Sequence, residues 1–317
     1  MIEELVLENF RGFRLLDLKG LKPVNLVVGH NNTGKTSLLE GILLLCQVTR
    51  GGELPGMFRA NQGRPDLRYF PWLVHDGAPV RRAILKCKEG SVETSLVLTT
   101  RDPAQDAVLD GSNRVIAHLG HLLVLARQQQ RNLTCRVVSV QHRDPGSIVA
   151  LIGKAYRRRG GEETFQRILA TVDSRIKKVR IDPGDDGNQV VVDIGLSELL
   201  PLSQAGQGVY RLAAILADII GEQPSVLLID EIENGLHHSV QKQVWMGLAE
   251  VAKELNVQIF ATTHSGECLH AAHKAFLERQ AYDLGVVQLF RVDEGVQGRL
   301  LDKEHIEAAI AADIELR

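Results

Sequence analysis

The sequence predicts an α/β fold, a mainly parallel sheet with an N-terminal β portion and an inserted α+β region, and three observations carry that expectation. An apolar strand at 24–28, VNLVV, runs through a glycine-containing loop straight into a helical pattern. Beyond Pro201, strand-like and helix-like segments alternate. The strands in that half, VLLI at 226–229 and QIFAT at 258–262, are apolar at consecutive positions, as strands covered on both faces must be.

In chain order, residues 2–8 and 13–18 read as two short strands around an Arg-Gly turn, followed by the strand at 24–28. A helix is expected from Gly34, because Leu38, Leu39, Ile42, Leu43 and Cys46 recur on one helical face. The stretch 51–79 is loop-rich, and VRRAILKCK and SVETSLVLTT around Glu89-Gly90 have the form of a hairpin. A strand at 135–141, helices at 147–158 and 162–173, and strands at 176–181 and 189–194 complete the inserted region. Helices at 206–220 and 236–254, strands at 226–230 and 258–262, a helix from 266, and a final hairpin and helix close the chain. The expected division is 1–50 and 196–317 as two parts of one core, with 51–195 inserted between them.

The 317 residues, 44% of them hydrophobic, suffice for a sizeable core, and a formal net charge of −2 gives no global attraction to nucleic acid or to an anionic membrane surface. The N-terminus lacks the basic-then-apolar order of a secretory signal and no apolar run is long enough to span a bilayer, so the expectation is a cytoplasmic protein without membrane contact. The four cysteines, Cys46, Cys87, Cys135 and Cys268, form no CxxC pair and suggest scattered reduced thiols.

Residues 29–36, Gly29-His30-Asn31-Asn32-Thr33-Gly34-Lys35-Thr36, fit G-x-x-x-x-G-K-[ST] between a buried strand and a helix start. Glycines let backbone N–H groups curl around phosphate oxygens, and the helix N-terminus adds partial positive charge. Within 29–37, Gly29, Asn31, Asn32, Thr33, Gly34, Lys35, Thr36 and Ser37 are therefore candidate ATP contacts, with Lys35 reaching the β and γ phosphates and Thr36 offering a hydroxyl to Mg²⁺. The run 226–231 delivers Asp230 and Glu231 to the same sheet edge, Asp230 as a second Mg²⁺ residue and Glu231 as the group that polarises the attacking water. The plainer reading of that pair is an acidic helix start. The next strand ends in Ala261-Thr262-Thr263-His264, which brings His264 to that edge as a γ-phosphate contact.

These residues resemble the ABC-type ATPase heads of the OLD, RecF and SMC class, often filed as AAA-type core ATPases. The likeness lies in LENFRGF, LKPVNLVVGHNNTGKTSLLEGI, PLSQAGQGVYRL, VLLIDEIENGLHHSVQ and IFATTHS, in that order, and fades over 51–195. It implies that Lys35 and Thr36 are the Walker A pair, Asp230 and Glu231 the Walker B pair, and His264 the switch histidine. Asn234 to His237 resemble the D-loop, and Ser203, Gly206 and Gly208 the signature that one subunit presents to ATP held on another. The plainer reading of the segment is a serine-capped helix start, and its spacing departs from LSGGQ. Arg11 and Phe13 resemble residues near the adenine and ribose, and are equally a surface turn. Gln62 is a candidate for the Q-loop glutamine, although nothing around it fixes that role.

The resemblance thus implies a homodimer or higher oligomer that clamps ATP with Mg²⁺ and hydrolyses it. Only 53 residues follow His264, too few for an attached Toprim nuclease, which points to a separately encoded effector, such as a nuclease, in DNA maintenance or antiphage defence. The rival is a DNA-binding repair ATPase whose insertion touches DNA through Arg157-Arg158-Arg159 and Lys177-Lys178-Val179-Arg180, runs that also suit solvated faces. A small-molecule kinase or a GTPase would need an acceptor site or an NKxD-like motif, and the sequence contains no such motif.

Overall fold

The computed structural model describes residues 1–48, 73–75, 82–99, 114–119, 122–128, 133–138, 145–184, 187–293 and 295–312. The elements are β1 (Glu4–Phe10), β2 (Phe13–Lys19), β3 (Val24–Val28), α1 (Lys35–Val48), β4 (Arg82–Glu89), β5 (Val92–Thr99), β6 (Arg114–Leu119), β7 (Leu122–Gln128) and β8 (Cys135–Val138). They continue with α2 (Pro145–Tyr156), α3 (Gly161–Val172), β9 (Lys178–Gly184), β10 (Gly187–Asp193), β11 (Leu200–Pro201), α4 (Gln207–Glu222), β12 (Val226–Ile229) and α5 (His238–Glu254). The last are β13 (Gln258–Thr262), α6 (Gly266–Leu277), β14 (Leu284–Val292), β15 (Gly295–Leu301) and α7 (Lys303–Ala311).

Two six-stranded sheets organise the chain. In the first, β15-β14-β3-β13-β12-β8, every neighbouring pair is parallel except β14 with β15. This is the mainly parallel sheet that the apolar strands demand. Successive residues face opposite layers: Leu227, Ile229, Ile259 and Ala261 join the core built with α2 to α6, whereas Val226, Leu228 and Phe260 join the core built around α1. Polar Asn25 is tolerated inside β3 because its side chain donates to the Lys22 carbonyl (2.6 Å) and accepts the Lys22 N–H (2.9 Å).

The second sheet, β2-β1-β4-β5-β7-β6, is antiparallel throughout. Helix α1 lies between the two sheets, its Leu38, Leu39, Ile42 and Leu43 packed with Leu7, Phe10 and Leu85 on one side and Leu228 and Phe260 on the other. Buried Gln258 on β13 exchanges two hydrogen bonds with the backbone of Ile2, tying the sheets together (2.7 and 2.8 Å). A small sheet, β11-β10-β9, accompanies the α2 and α3 pair.

The hairpin at Glu89-Gly90 forms as its turn chemistry predicts, with Gly90 at φ 57°. β6, β7 and the two-residue β11 are strands that the sequence pattern did not suggest. β1 begins two residues later than expected, at Glu4, and α5 starts at His238 rather than 236, because residues 231–235 make a turn. Hydrogen bonding crosses the boundary expected near residue 50, since β4 pairs with β1, and β8 pairs with β12 across the boundary near 195. Most of the loop-rich stretch 51–79, Gln62 included, and residues 139–141 of the expected strand lie outside the described residues.

Candidate active site

All five residues of β3 are buried, so the chain turns immediately at the sheet's edge. The turn needs glycine at two places. Gly29 has φ 151°, and a Cβ there would lie 2.5 Å from the Leu289 carbonyl oxygen and 2.6 Å from the Thr33 hydroxyl. Gly34 has φ 88°, and a Cβ would lie 2.9 Å from the Phe13 ring. Buried Thr33 donates to the His30 carbonyl (2.8 Å), and Arg291 on β14 donates to the carbonyl of Asn32 (3.0 Å). Asn31 and Asn32 are exposed, while Ser37 is buried in the first turn of α1.

Lys35 folds over this loop and donates to the carbonyls of Gly29 (2.6 Å) and His30 (2.9 Å). Burial lowers its pKa, and the nearby carboxylates of Glu233, Asp230 and Glu231 oppose that shift. The ammonium is thus a partly desolvated cation beside three acids, poised to interact strongly with any anion that enters the loop.

The acids arrive from β12, whose four residues are fully buried. Thr36 donates to Asp230 Oδ2 (3.1 Å), and Thr262 at the end of β13 donates to Oδ1 (2.5 Å). The same Thr262 oxygen accepts the backbone N–H of Glu231 (2.8 Å), so one hydroxyl braces both acidic residues. Glu231 adopts φ 49°, a left-handed conformation that a bulky residue seldom takes. Its carboxylate accepts from Asn234 Nδ2 (2.5 Å), and its carbonyl accepts from Arg211 on α4 (3.0 Å). Burial lowers the pKa of Arg211, again against the pull of Glu233.

His264 stands beside the same turn. Glu233 Oε1 lies 3.0 Å from its ring Nδ1 and accepts its backbone N–H (2.9 Å). Sequence reasoning missed Glu233 and Arg211. The signal for Glu233 was the Asp230-Glu231-Ile232-Glu233 spacing, in which buried Ile232 separates two acids; nothing in the sequence marked Arg211.

Comparison with known proteins adds to this geometry. Residues 24–267, well over half the chain, match the AAA_21 family, described as "AAA domain, putative AbiEii toxin, Type IV TA system". The chain belongs to that family. It is an ATPase of the ABC/AAA type. It is 21% identical to an "ATP/GTP phosphatase" of Helicobacter pylori, over 97% of each chain. It is 23% identical to the DNA replication and repair protein RecF of Staphylococcus epidermidis, over 86% of this chain and 72% of that one. Among solved structures, an SMC head bound to the C-winged helix domain of ScpA shares the fold with a TM-score of 0.60 at 14% identity, covering 97% of this chain and 99% of that chain. The SMC head domain of Thermotoga maritima does so with a TM-score of 0.56 at 15% identity, over 95% and 99%.

The remaining candidate residues of this AAA_21 ATPase fall into two places. Ser203 lies in a short 3-10 turn, Leu202–Gln204, and is exposed; Gly206 has φ 100° and precedes α4. A Cβ on Gly208 would lie 3.0 Å from Val240, and one on Gly235 would lie 3.5 Å from Gln207 Oε1, so this segment packs beside the start of α5. There, exposed His237 caps α5 by accepting the Ser239 N–H. Arg11 instead points toward α1, its guanidinium 3.1 Å from fully buried Glu40. Phe13 packs under Gly34. Neither was expected in those surroundings: the β1 and β2 sheet folds over α1 and carries both side chains inward. Among the described residues, no three His, Cys, Asp or Glu are grouped as a metal cage, and no helix is long and apolar enough to cross a membrane.

Proposed function

We propose that this protein binds ATP with Mg²⁺ at residues 29–37 and hydrolyses it to ADP and phosphate. The observation that carries this reading is the hydrogen-bonded chain Thr36–Asp230–Thr262–Glu231, which ties the phosphate loop to both acids. Lys35, held by two carbonyls of its own loop, exchanges them for phosphate oxygens. Glu231, exposed and steadied by Asn234, takes the proton of the attacking water. His264 contacts the terminal phosphate.

Thr36 and Asp230 fit Mg²⁺, which is held by one or two carboxylates while keeping several waters. When bound, the ion supplies charge neutralisation across the phosphate oxygens.

We further infer a head-to-head dimer or higher oligomer in which Ser203, Gly206 and Gly208 of one subunit, with His237 beside them, meet the ATP of the other. The exposed signature turn packed against the start of α5 supports this arrangement. The dimer would act as a switch for a separately encoded effector, such as a nuclease, in DNA maintenance or antiphage defence. The test measures ATP hydrolysis and solution mass with and without ATP, for the native protein and for Glu231→Gln. Turnover by the native protein and a nucleotide-trapped dimer of the variant are expected; an inert native protein that stays monomeric with ATP overturns the dimer reading.

A second reading, direct DNA contact, draws on the exposure of Arg157, Arg159, Lys177, Lys178 and Arg180, and on the likeness to RecF. Arg158, exposed as well, also donates to the Gly221 carbonyl (3.2 Å). Binding that weakens steeply with salt, and is reduced by reversing the charge of Lys178 and Arg180, would favour this reading.

A further inference from the structure

We propose that Glu233 is the positioning residue for His264, fixing the proton on its ring Nδ1 so that Nε2 is the nitrogen presented to the reacting phosphate. The catalytic consequence rests on the ATP-hydrolysis reading above; the link between the two side chains does not.

Three observations support the assignment. First, one oxygen of Glu233 lies 3.0 Å from His264 Nδ1 and 2.9 Å from the His264 backbone nitrogen, so it grips the residue at both ring and main chain. A carboxylate has only acceptors to offer, and a ring nitrogen facing it must therefore carry a hydrogen. Second, the exposures are opposite: the Glu233 side chain is 9% exposed, whereas that of His264 is 48% exposed. The acid is a buried anchor and the imidazole the part that can meet a ligand. Third, the anchor is electrostatically set. Its second oxygen, Oε2, is buried without a hydrogen-bond partner among the described residues, and Glu233 is the foremost carboxylate acting on both Lys35 and Arg211. Those two cations balance the buried charge without capturing the oxygen that holds His264.

The geometry also separates Glu233 from Glu231. Glu231 is exposed and linked to Asn234, free to serve water, while Glu233 is turned inward by the intervening buried Ile232. Two acids two residues apart thereby hold different tasks.

The experiment uses full-length protein with ¹⁵N-labelled histidine, reading the ring tautomer from two-bond ¹H–¹⁵N correlations, with the His264 signals assigned by their loss in His264→Gln. Native His264 should be in the Nδ1–H form. Glu233→Ala should move it to the Nε2–H form that free imidazole prefers, and Glu233→Gln, which keeps a carbonyl acceptor, should retain Nδ1–H. In turnover, Glu233→Ala should lower kcat by about 10-fold to 100-fold, the usual weight of such an outer partner, with KM for ATP nearly unchanged. On a His264→Ala background the same change should cost little more. A Glu233→Ala protein whose His264 stays in the Nδ1–H form overturns the proposal, as does an equal loss of turnover in the presence and absence of His264. If the native protein hydrolyses no ATP, the tautomer measurement still decides the pair, and only the ATPase reading falls.

Discussion

The two large sheets share one helix, yet they contribute differently. In the parallel sheet, β3, β12 and β13 run in the same direction, so their ends deliver Gly29, Asp230 and His264 to one edge. In the antiparallel sheet, neighbouring strands end at opposite edges, and among the described residues no such concentration arises. Its contribution is support from behind: Phe13 lies under Gly34 of the phosphate loop, and Arg11 pairs with Glu40 inside α1. Direction of pairing, more than composition, separates the sheet that assembles chemistry from the sheet that braces it.

The sharpest way to break this contrast is to remove one group from each side. Glu231→Gln should reduce ATP turnover by about 10²-fold to 10⁴-fold, the range for a lost acid–base group, while leaving the urea unfolding midpoint almost unchanged. Phe13→Ala should do the reverse. Its ring is fully buried, and the variant should lose about 3 to 5 kcal/mol of stability, measured by urea unfolding. Arg11→Ala, which leaves the buried Glu40 carboxylate without this cation, should lose a similar amount, about 3 to 5 kcal/mol. If Arg11→Ala instead keeps its stability and loses ATP affinity, the residue serves nucleotide and the contrast fails at that position.

Buried thiols probe the two layers under pH. Burial pushes Cys87, in the layer facing the antiparallel sheet, and Cys268, in the opposite layer, from 9.0 up to about 12. A folded-state pKa above the unfolded value contributes stability that is intact below pH 9 and lost as pH rises toward 12. Unfolding free energy should therefore fall above pH 9, by about 1.4 kcal/mol per pH unit for each thiol, and Cys87→Ala and Cys268→Ala should each remove part of that slope. The smallest effect is expected on the solvent face of α3: Arg167, half-exposed and paired with Glu250 and Glu254, should cost under about 1 kcal/mol when changed to Ala.

Local patterns were legible wherever the chemistry is local. The glycine turn between β3 and α1 could be read because Gly29, Gly34 and Lys35 lie close together in sequence, and the buried strands VLLI and QIFAT because both of their faces are covered. The pairing of Glu233 with His264 was not legible, since they lie 31 positions apart and an acid in a turn carries no mark of its partner. Nor was the inward course of Arg11, because a strand turn bearing Arg and Phe looks the same whether or not another layer covers it.

By itself, then, the sequence determined the α/β class, the glycine turn before α1 and the arrival of acids and a histidine at strand ends, because periodicity and glycine placement act over a few neighbouring residues. Tertiary structure alone decided that β4 pairs with β1 and β8 with β12, that Thr262 braces Asp230 and Glu231 together, and that Glu233 faces inward while Glu231 faces out. Those choices depend on which distant surfaces exclude water from each other, and that is fixed only when the layers pack.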